Sequence, residues 1–218
     1  MPFAKDDPWQ SPSFPFLEVP VQPPLAYPLT FSFKILSFAS QFSVRDSGGN
    51  LIAYARQKIL ALKEAVTVFA DEEKTRPLFT INADRIIDFS ARYNFTSTQG
   101  QNLGAVKRQG MKSLWRSTYD ILDGDTPVMV IQEVNPWVKM ADAFLTGIPI
   151  LGMFSGYFFH PAYQVTRPDG APVMRMTKQP AFFEGKFTVE KLGPLNEIEE
   201  QRVLLSLMMA ILLERSRG

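Results

Sequence analysis

The sequence contains no cysteine. This absence excludes disulfides, thiolate metal sites and cysteine nucleophiles together. The net charge is also small, +1 over 218 residues. This value argues against a nucleic-acid-binding protein that works by overall positive potential. The N-terminus lacks a basic region followed by an apolar run. We therefore expect no signal peptide and a cytoplasmic location.

The first 30 residues carry eight of the 17 prolines. Proline can neither continue a helix nor join a central strand. Residues 1–30 are therefore predicted to form an extended or disordered arm, and the domain proper is predicted to begin at residue 31.

A repeated pattern of alternating apolar residues predicts β-hairpins. Six segments begin with an aromatic residue or valine and then alternate: 42–44, 66–68, 93–95, 119–121, 163–165 and 187–189. Most are followed by turn residues, such as Asp46-Ser-Gly-Gly-Asn50 and Asp123-Gly-Asp125, and then by a second alternating stretch. Two stretches of alternating apolar residues joined by a turn are the signature of a hairpin. Six hairpins supply about twelve strands, and an antiparallel sheet of that size must curl or close.

The hairpins pair into a longer repeat. Three of them end in a similar way, at Gln57, Gln109 and Gln179, each after one or two basic residues. The spacing from the leading aromatic residue to that glutamine is 15, 16 and 16 residues. Internal repetition of this kind indicates one architecture for the whole domain.

The last segment of the chain is predicted to be a helix buried on every side. Asn196 and Glu199 form a capping-box-like start, and between Val203 and Leu213 only Ser206 is polar. Eleven residues span about 16 Å, roughly half of a bilayer core. We therefore predict a closed antiparallel barrel of about twelve strands around a central hydrophobic C-terminal helix.

These features resemble the tubby-like superfamily, and within it the LURP-one-related and phospholipid-scramblase-like branch. The resemblance covers about residues 31–218. It rests on Phe42-Ser-Val-Arg-Asp-Ser-Gly-Gly-Asn50, on the three basic-glutamine strand ends, on Gly156-Tyr-Phe-Phe-His-Pro-Ala-Tyr163, and on the final helix.

The resemblance implies a twelve-stranded barrel around a central helix. It also implies a non-enzymatic protein, since tubby-like proteins are mainly phosphoinositide-binding or membrane-tethered adaptors and scramblase relatives act at bilayers. The sequence lacks the scramblases' acidic calcium segment beside a terminal membrane-spanning helix, so calcium-triggered lipid movement is not implied. No cofactor and no metal are expected, and the oligomeric state is left open.

The best lipid-headgroup candidates form one basic run, Lys107, Arg108, Lys112 and Arg116. Lys112 and Arg116 have the same parity on a strand and would share one face, and Trp115 lies beside them. Clustered cations near a tryptophan suit an anionic membrane surface. The alternative is a solvated outer strand whose lysines protect an edge.

One apolar stretch, 143–159, is not explained by the repeat. It falls within a predicted insertion at about 135–160, and glycines and a proline interrupt it, which argues against a membrane-spanning helix. We interpret it as an apolar loop docked on the barrel, or as a loop that dips into a membrane or binds a partner. The candidate residues are Ile148, Leu151, Phe154 and Tyr157.

Other chemistries receive weaker support. A hydrolase would use the lone histidine, His160, as a base for a serine such as Ser155, but no nucleophile elbow surrounds Ser155. Asp120, Asp123 and Asp125 have calcium-loop spacing without the rest of an EF-hand, and Asp123-Gly is a preferred hairpin turn. A small-molecule carrier is disfavoured because the helix would occupy the ligand space. A purely structural or regulatory protein-interaction domain stays open as an alternative.

Overall fold

The described residues fold into a β-barrel with one helix. In the computed structural model these residues are 24–36, 39–58, 65–85, 91–109, 118–134, 162–179 and 185–215. They form the strands β1 (Leu29–Leu36), β2 (Ala39–Arg45), β3 (Leu51–Lys58), β4 (Val66–Phe69), β5 (Pro77–Ala83), β6 (Arg92–Ser97), β7 (Asn102–Arg108), β8 (Thr118–Asp123), β9 (Thr126–Val134), β10 (Ala162–Thr166), β11 (Pro172–Gln179) and β12 (Gly185–Lys191), and the helix α1 (Glu197–Arg215).

The sheet is a meander that closes on itself. Each strand pairs antiparallel with the next in sequence, and β1 pairs with β12, where Leu29 lies opposite Val189. All six segments predicted to lead a hairpin lie in strands, namely β2, β4, β6, β8, β10 and β12. The prediction of a closed antiparallel barrel is therefore confirmed.

Alternation of side chains along each strand separates the core from the outer face. In β6, Tyr93 and Phe95 are buried, whereas Asn94 between them is only partly buried. Val106, the register partner of Tyr93 on the next strand, is also buried. Because successive side chains point to opposite faces, one apolar row from each strand lines the interior of the barrel.

The helix fills that interior. Every residue from Leu205 to Leu212 is buried, Ser206 included. Eight consecutive residues make more than two turns of an α-helix, so the whole circumference is covered by protein. The hydroxyl of Ser206 donates to the Arg202 carbonyl oxygen one turn earlier, at 2.7 Å. The prediction of a central hydrophobic helix is confirmed.

The predicted cap begins this helix. The Asn196 side chain accepts the Glu199 backbone N–H at 2.9 Å, and the Glu199 carboxylate accepts the Asn196 backbone N–H at 3.0 Å. The reciprocal pair satisfies two amide donors that the first turn leaves unbonded. The Arg167 guanidinium also donates two hydrogen bonds to Glu199, at 2.8 and 3.1 Å. These bonds hold the pKa of the Glu199 carboxyl below its usual range.

Replacing Arg167 with methionine is expected to lower Tm at pH 7 and to have less effect in acid. Since the pKa of Glu199 is lowered by folding, the pair stabilises the protein fully above the unfolded carboxyl pKa of about 4.3. That contribution is lost as the pH falls through the lower, folded value. Calorimetry between pH 7 and pH 3 measures the Tm difference between the variant and the wild type. Arg175→Met, which removes a contact with the neutral Gln164, is the control. A Tm difference for Arg167→Met that stays constant with pH would contradict the account.

The two ends of the barrel differ in their connections. Tight turns after β2, β4, β6, β8 and β10 lie at one end, which we name the turn end. The turns predicted from Asp46-Ser-Gly-Gly-Asn50 and Asp123-Gly-Asp125 are among them. The strands β3, β5, β7, β9 and β11 finish at the opposite end, which we name the connection end. The helix starts at the turn end, after β12, and runs to the connection end.

The end of the predicted arm is fastened at the turn end. Strand β1 begins at Leu29, within the range predicted as arm. The Tyr27 hydroxyl donates to Glu200 at 3.0 Å, and the Lys191 ammonium lies 5.8 Å from the centre of the Tyr27 ring. Burial, and then the Glu200 charge, raises the pKa of Tyr27. The chain entering β1 is thus tied to the first turn of the helix.

Candidate functional site

Charge is segregated between the two ends of the barrel. We compare described side chains that lie in the tight turns or within two residues of an element's terminus. At the connection end the basic ones are Lys34, Arg56, Arg85, Lys107, Arg108, Lys178 and Lys186, and the acidic ones are Asp84, Asp120, Glu133 and Glu214. Arg92 begins β6, but its guanidinium pairs with Asp125 in the turn after β8, so it is counted at neither end. At the turn end the basic ones are Arg45, Lys74, Arg76, Arg167 and Lys191, and the acidic ones are Asp46, Asp71, Glu72, Glu73, Asp123, Asp125, Asp169, Glu190, Glu197 and Glu199. The connection end is therefore basic and the turn end acidic.

Ion pairs form at both ends of the barrel. Turn-end cations face nearby carboxylates: Arg45 lies 2.8 Å from Glu72, and Lys191 lies 2.7 Å from Glu200. At the connection end, Arg56, Lys107 and Lys186 are exposed. Within the described part of the chain, none of these three makes an ion pair. Their charge is available to an anionic partner.

The basic run predicted to hold a headgroup divides between the two faces of β7. Lys107 is exposed on the outer face, where its register partner on β8 is Asp120. Arg108 faces the interior and is 8% exposed, and this burial does not favour it as a headgroup ligand. Lys112 and Arg116 lie outside the described residues. The residues that bracket them, Arg108 and Thr118, lie at the connection end.

The apolar insertion candidates, Ile148, Leu151, Phe154 and Tyr157, also lie outside the described residues. The strands on either side of the insertion are described. Val134 ends β9, Ala162 begins β10, and the two residues are register partners at the connection end. The chain therefore leaves and re-enters the barrel for this insertion at the same end as for the basic run.

A polar network at the connection end joins buried side chains of the barrel to Glu214, whose side chain is 29% exposed. The Tyr119 hydroxyl donates to the Glu214 carboxylate at 2.5 Å, and an Arg108 guanidinium nitrogen lies 3.9 Å from the same carboxylate oxygen. The Arg108 guanidinium carbon also lies 5.9 Å from the centre of the Tyr119 ring. We name Arg108, Tyr119, Tyr163 and Glu214 the Glu214 network.

Burial raises the pKa of both tyrosines in this network. For Tyr119 the next causes are the hydrogen bond and the charge of Glu214. For Tyr163 they are the charges of Glu214 and then of Glu133. Both phenols are therefore neutral at pH 7, and Tyr119 acts as a donor. The alternating pattern predicts that the two tyrosines lead strands, but it does not predict the hydrogen bond from Tyr119 to a carboxylate of the helix.

The three aspartates considered for calcium are engaged with protein donors. Asp123 lies 3.0 Å from the Arg202 guanidinium, Asp125 pairs with Arg92, and Asp120 accepts the Gln109 amide at 2.6 Å. Among the described residues, no group of carboxylates, histidines or cysteines could hold a metal ion. The turn interpretation of Asp123-Gly-Asp125 is confirmed.

The hydrolase residues are not placed. His160 and Ser155 both lie outside the described residues, so the enzymatic alternative stays a prediction without a geometry. Across the described part of the chain, no helix combines the length and hydropathy needed to cross a bilayer.

Comparison with known proteins gives one result. The family model described as LURP-one-related matches residues 51–212, a range that runs from the start of β3 into α1. Strands β1 and β2, which complete the barrel, precede the matched range. Comparison with curated proteins and with solved structures returns no match.

Proposed function

Because this chain belongs to the LURP-one-related family of the tubby-like superfamily, we propose that it binds anionic phospholipid headgroups at a membrane surface. The binding face is the connection end of the barrel. In this proposal the protein is a non-enzymatic, cytoplasmic adaptor that associates peripherally with the membrane.

The observation that carries the proposal is the segregation of charge along the barrel axis. Arg56, Lys107 and Lys186 are exposed at one end, while acidic side chains crowd the other. Each lysine or arginine close to an anionic leaflet contributes about 1 kcal/mol of attraction, and the effect fades within a Debye length of about 8 Å. A protein of net charge +1 can therefore be attracted strongly, provided that its basic end faces the lipid.

The topology adds a second support. The basic run 107–116 and the apolar stretch 143–159 both belong to connections that start and finish at the connection end. A surface that joins cations to apolar side chains combines electrostatic attraction with insertion among the lipids. Trp115 belongs to the first connection and Trp137 to the second, and tryptophan is enriched at membrane interfaces.

Reversing charge at the connection end is expected to weaken binding to phosphatidylserine vesicles. The variant Lys107→Glu/Lys186→Glu removes two exposed cations and adds two anions, which predicts an affinity loss of more than about tenfold. Lys112→Glu/Arg116→Glu, in the basic run, should act in the same direction. Vesicle co-sedimentation at low and high salt measures both, and wild-type binding should fall as salt rises.

The matched control is Lys74→Glu/Arg76→Glu, which makes the same charge change at the turn end. It should bind nearly as well as the wild type, since both side chains are exposed and lie away from the proposed face. If the connection-end and turn-end variants lose the same affinity for the vesicles, binding depends only on the net charge of the protein. If wild-type protein does not bind anionic vesicles even at low salt, the lipid proposal fails and a protein partner becomes the better hypothesis.

A further inference from the structure

The wall of the barrel has a local irregularity where it meets the helix. On β7, Asn102 is the register partner of Thr96 and Gly104 is the register partner of Phe95, so Leu103 between them has no partner on β6. Such a β-bulge leaves one residue out of the ladder. Gly104 has a φ of +110°, a conformation that favours glycine. The bulge therefore places an unpaired residue next to a position without a Cβ.

Arg202, in the second turn of α1, occupies this bulge. The residue is 4% exposed, its Nε donates to the Leu103 carbonyl oxygen at 2.6 Å, and its guanidinium lies 3.0 Å from the Asp123 carboxylate. A Cβ at position 104 would lie 2.5 Å from its Nε and 2.9 Å from its Cδ. The arginine and the bulge therefore match in shape as well as in hydrogen bonding.

The apolar part of the helix does not by itself select one placement in the barrel. Every residue from Leu205 to Leu212 is buried, and apolar contact is not directional. Several rotations of such a helix would bury similar apolar areas. In coiled coils, a single polar side chain at a buried position selects one register among alternatives of this kind. Arg202 is a buried polar side chain at the start of the apolar segment.

Other polar contacts of α1 join side chains to side chains. In the first turn Glu199 pairs with Arg167 and Glu200 with Lys191, and both of these cations have side chains that are 31% exposed. Exposed ion pairs contribute little, and long side chains can follow a small shift of the helix. The Leu103 carbonyl belongs to the backbone of the sheet and cannot follow one.

We propose that Arg202, bound at the Leu103–Gly104 bulge, sets the register of α1, meaning its rotation about its own axis and its depth in the barrel. Arg202 is a positioning residue for the helix. Replacing a buried ion pair with apolar side chains of similar volume often costs little stability. We therefore expect Arg202 to act on the uniqueness of the helix placement more than on the stability of the fold. The inference does not depend on the proposed function.

Distances between pairs of nitroxide labels test the register. The sequence has no cysteine, so two introduced cysteines define each pair. Ile198→Cys on α1 is combined with Glu73→Cys at the turn end, which reports rotation, or with Lys186→Cys at the connection end, which reports depth. Double electron–electron resonance should give one narrow distance for each pair in the otherwise unchanged protein. Arg202→Met should add a second distance in at least one pair, displaced by about 5 Å, since one helical turn is about 5.4 Å.

Leu205→Ala is the matched control, because it removes a buried apolar side chain from the same helix and leaves Arg202 in place. It should lower Tm and keep a single distance in both pairs. Gly104→Ala fills the bulge from the strand side and should give the same second distance as Arg202→Met. If Arg202→Met folds with the wild-type distances alone, or fails to fold while Leu205→Ala folds, Arg202 stabilises the helix without selecting its register and the inference is wrong. Unchanged distances in Gly104→Ala would also overturn it.

Discussion

Replacing Gly104 with alanine is expected to be among the most destabilising single changes in this protein. Gly104 has a φ of +110°, and a Cβ there would lie 2.3 Å from the Leu122 carbonyl oxygen and 2.5 Å from Arg202 Nε. Arg202 cannot easily move aside, because its Nε donates to the Leu103 carbonyl oxygen at 2.6 Å. Backbone strain and overpacking each cost about 1–3 kcal/mol. The sum is a large part of the free energy of unfolding of a typical domain, about 5–15 kcal/mol.

Urea unfolding followed by circular dichroism measures this loss, and Gly100→Ala is its control. Gly100 also has a positive φ, of +81°, but nothing lies within 4 Å of the added Cβ. Gly100→Ala should therefore lower the free energy of unfolding only by the cost of the backbone strain. Equal losses at the two glycines would show that the helix does not press against β7 at Gly104.

Replacing Leu207 with aspartate is expected to leave the protein largely unfolded at room temperature. Leu207 is fully buried in the middle of α1, within the hydrophobic core, where an added carboxylate would be removed from water. An unpaired buried charge costs several kcal/mol in addition to the lost apolar contacts. Loss of the far-ultraviolet strand signal and of cooperative melting would report it.

Ile198→Asp is the matched control, because the same substitution falls on the same helix at a site that is 42% exposed. It should melt close to the wild type. A cooperative fold in Leu207→Asp would mean that the barrel does not need the helix as its core. That result would contradict the conclusion that the barrel encloses α1 as its core.

Local patterns predicted most of the fold. Alternation and turn residues are short-range signals, so strands such as β6 and turns such as Asp46-Ser-Gly-Gly-Asn50 could be predicted from neighbouring residues alone. The helix could be predicted because its apolar surface is continuous, and its cap because Asn196 and Glu199 are three residues apart. Closure followed from the number of strands and the need to bury that helix.

Contacts between distant residues could not be predicted in the same way. The Arg202 to Leu103 bond joins residues 99 positions apart, and the Tyr119 to Glu214 bond joins residues 95 apart. Neither contact produces a periodic pattern in the sequence. Lys107 and Arg108 belong to one basic run in the sequence, yet alternation on β7 directs their side chains to opposite faces. The net charge of each end also depends on the strand directions, since basic and acidic residues are interspersed along the chain.

The most direct test of the central claim is to measure which end of the barrel faces the lipid. Because the sequence has no cysteine, Lys186→Cys and Lys74→Cys each carry one unique thiol for a nitroxide label, at the connection end and at the turn end. With saturating phosphatidylserine vesicles, the label at residue 186 should lose access to a water-soluble paramagnetic relaxation agent, and the label at residue 74 should keep it. Equal access at both positions, or protection of residue 74 alone, would contradict the account.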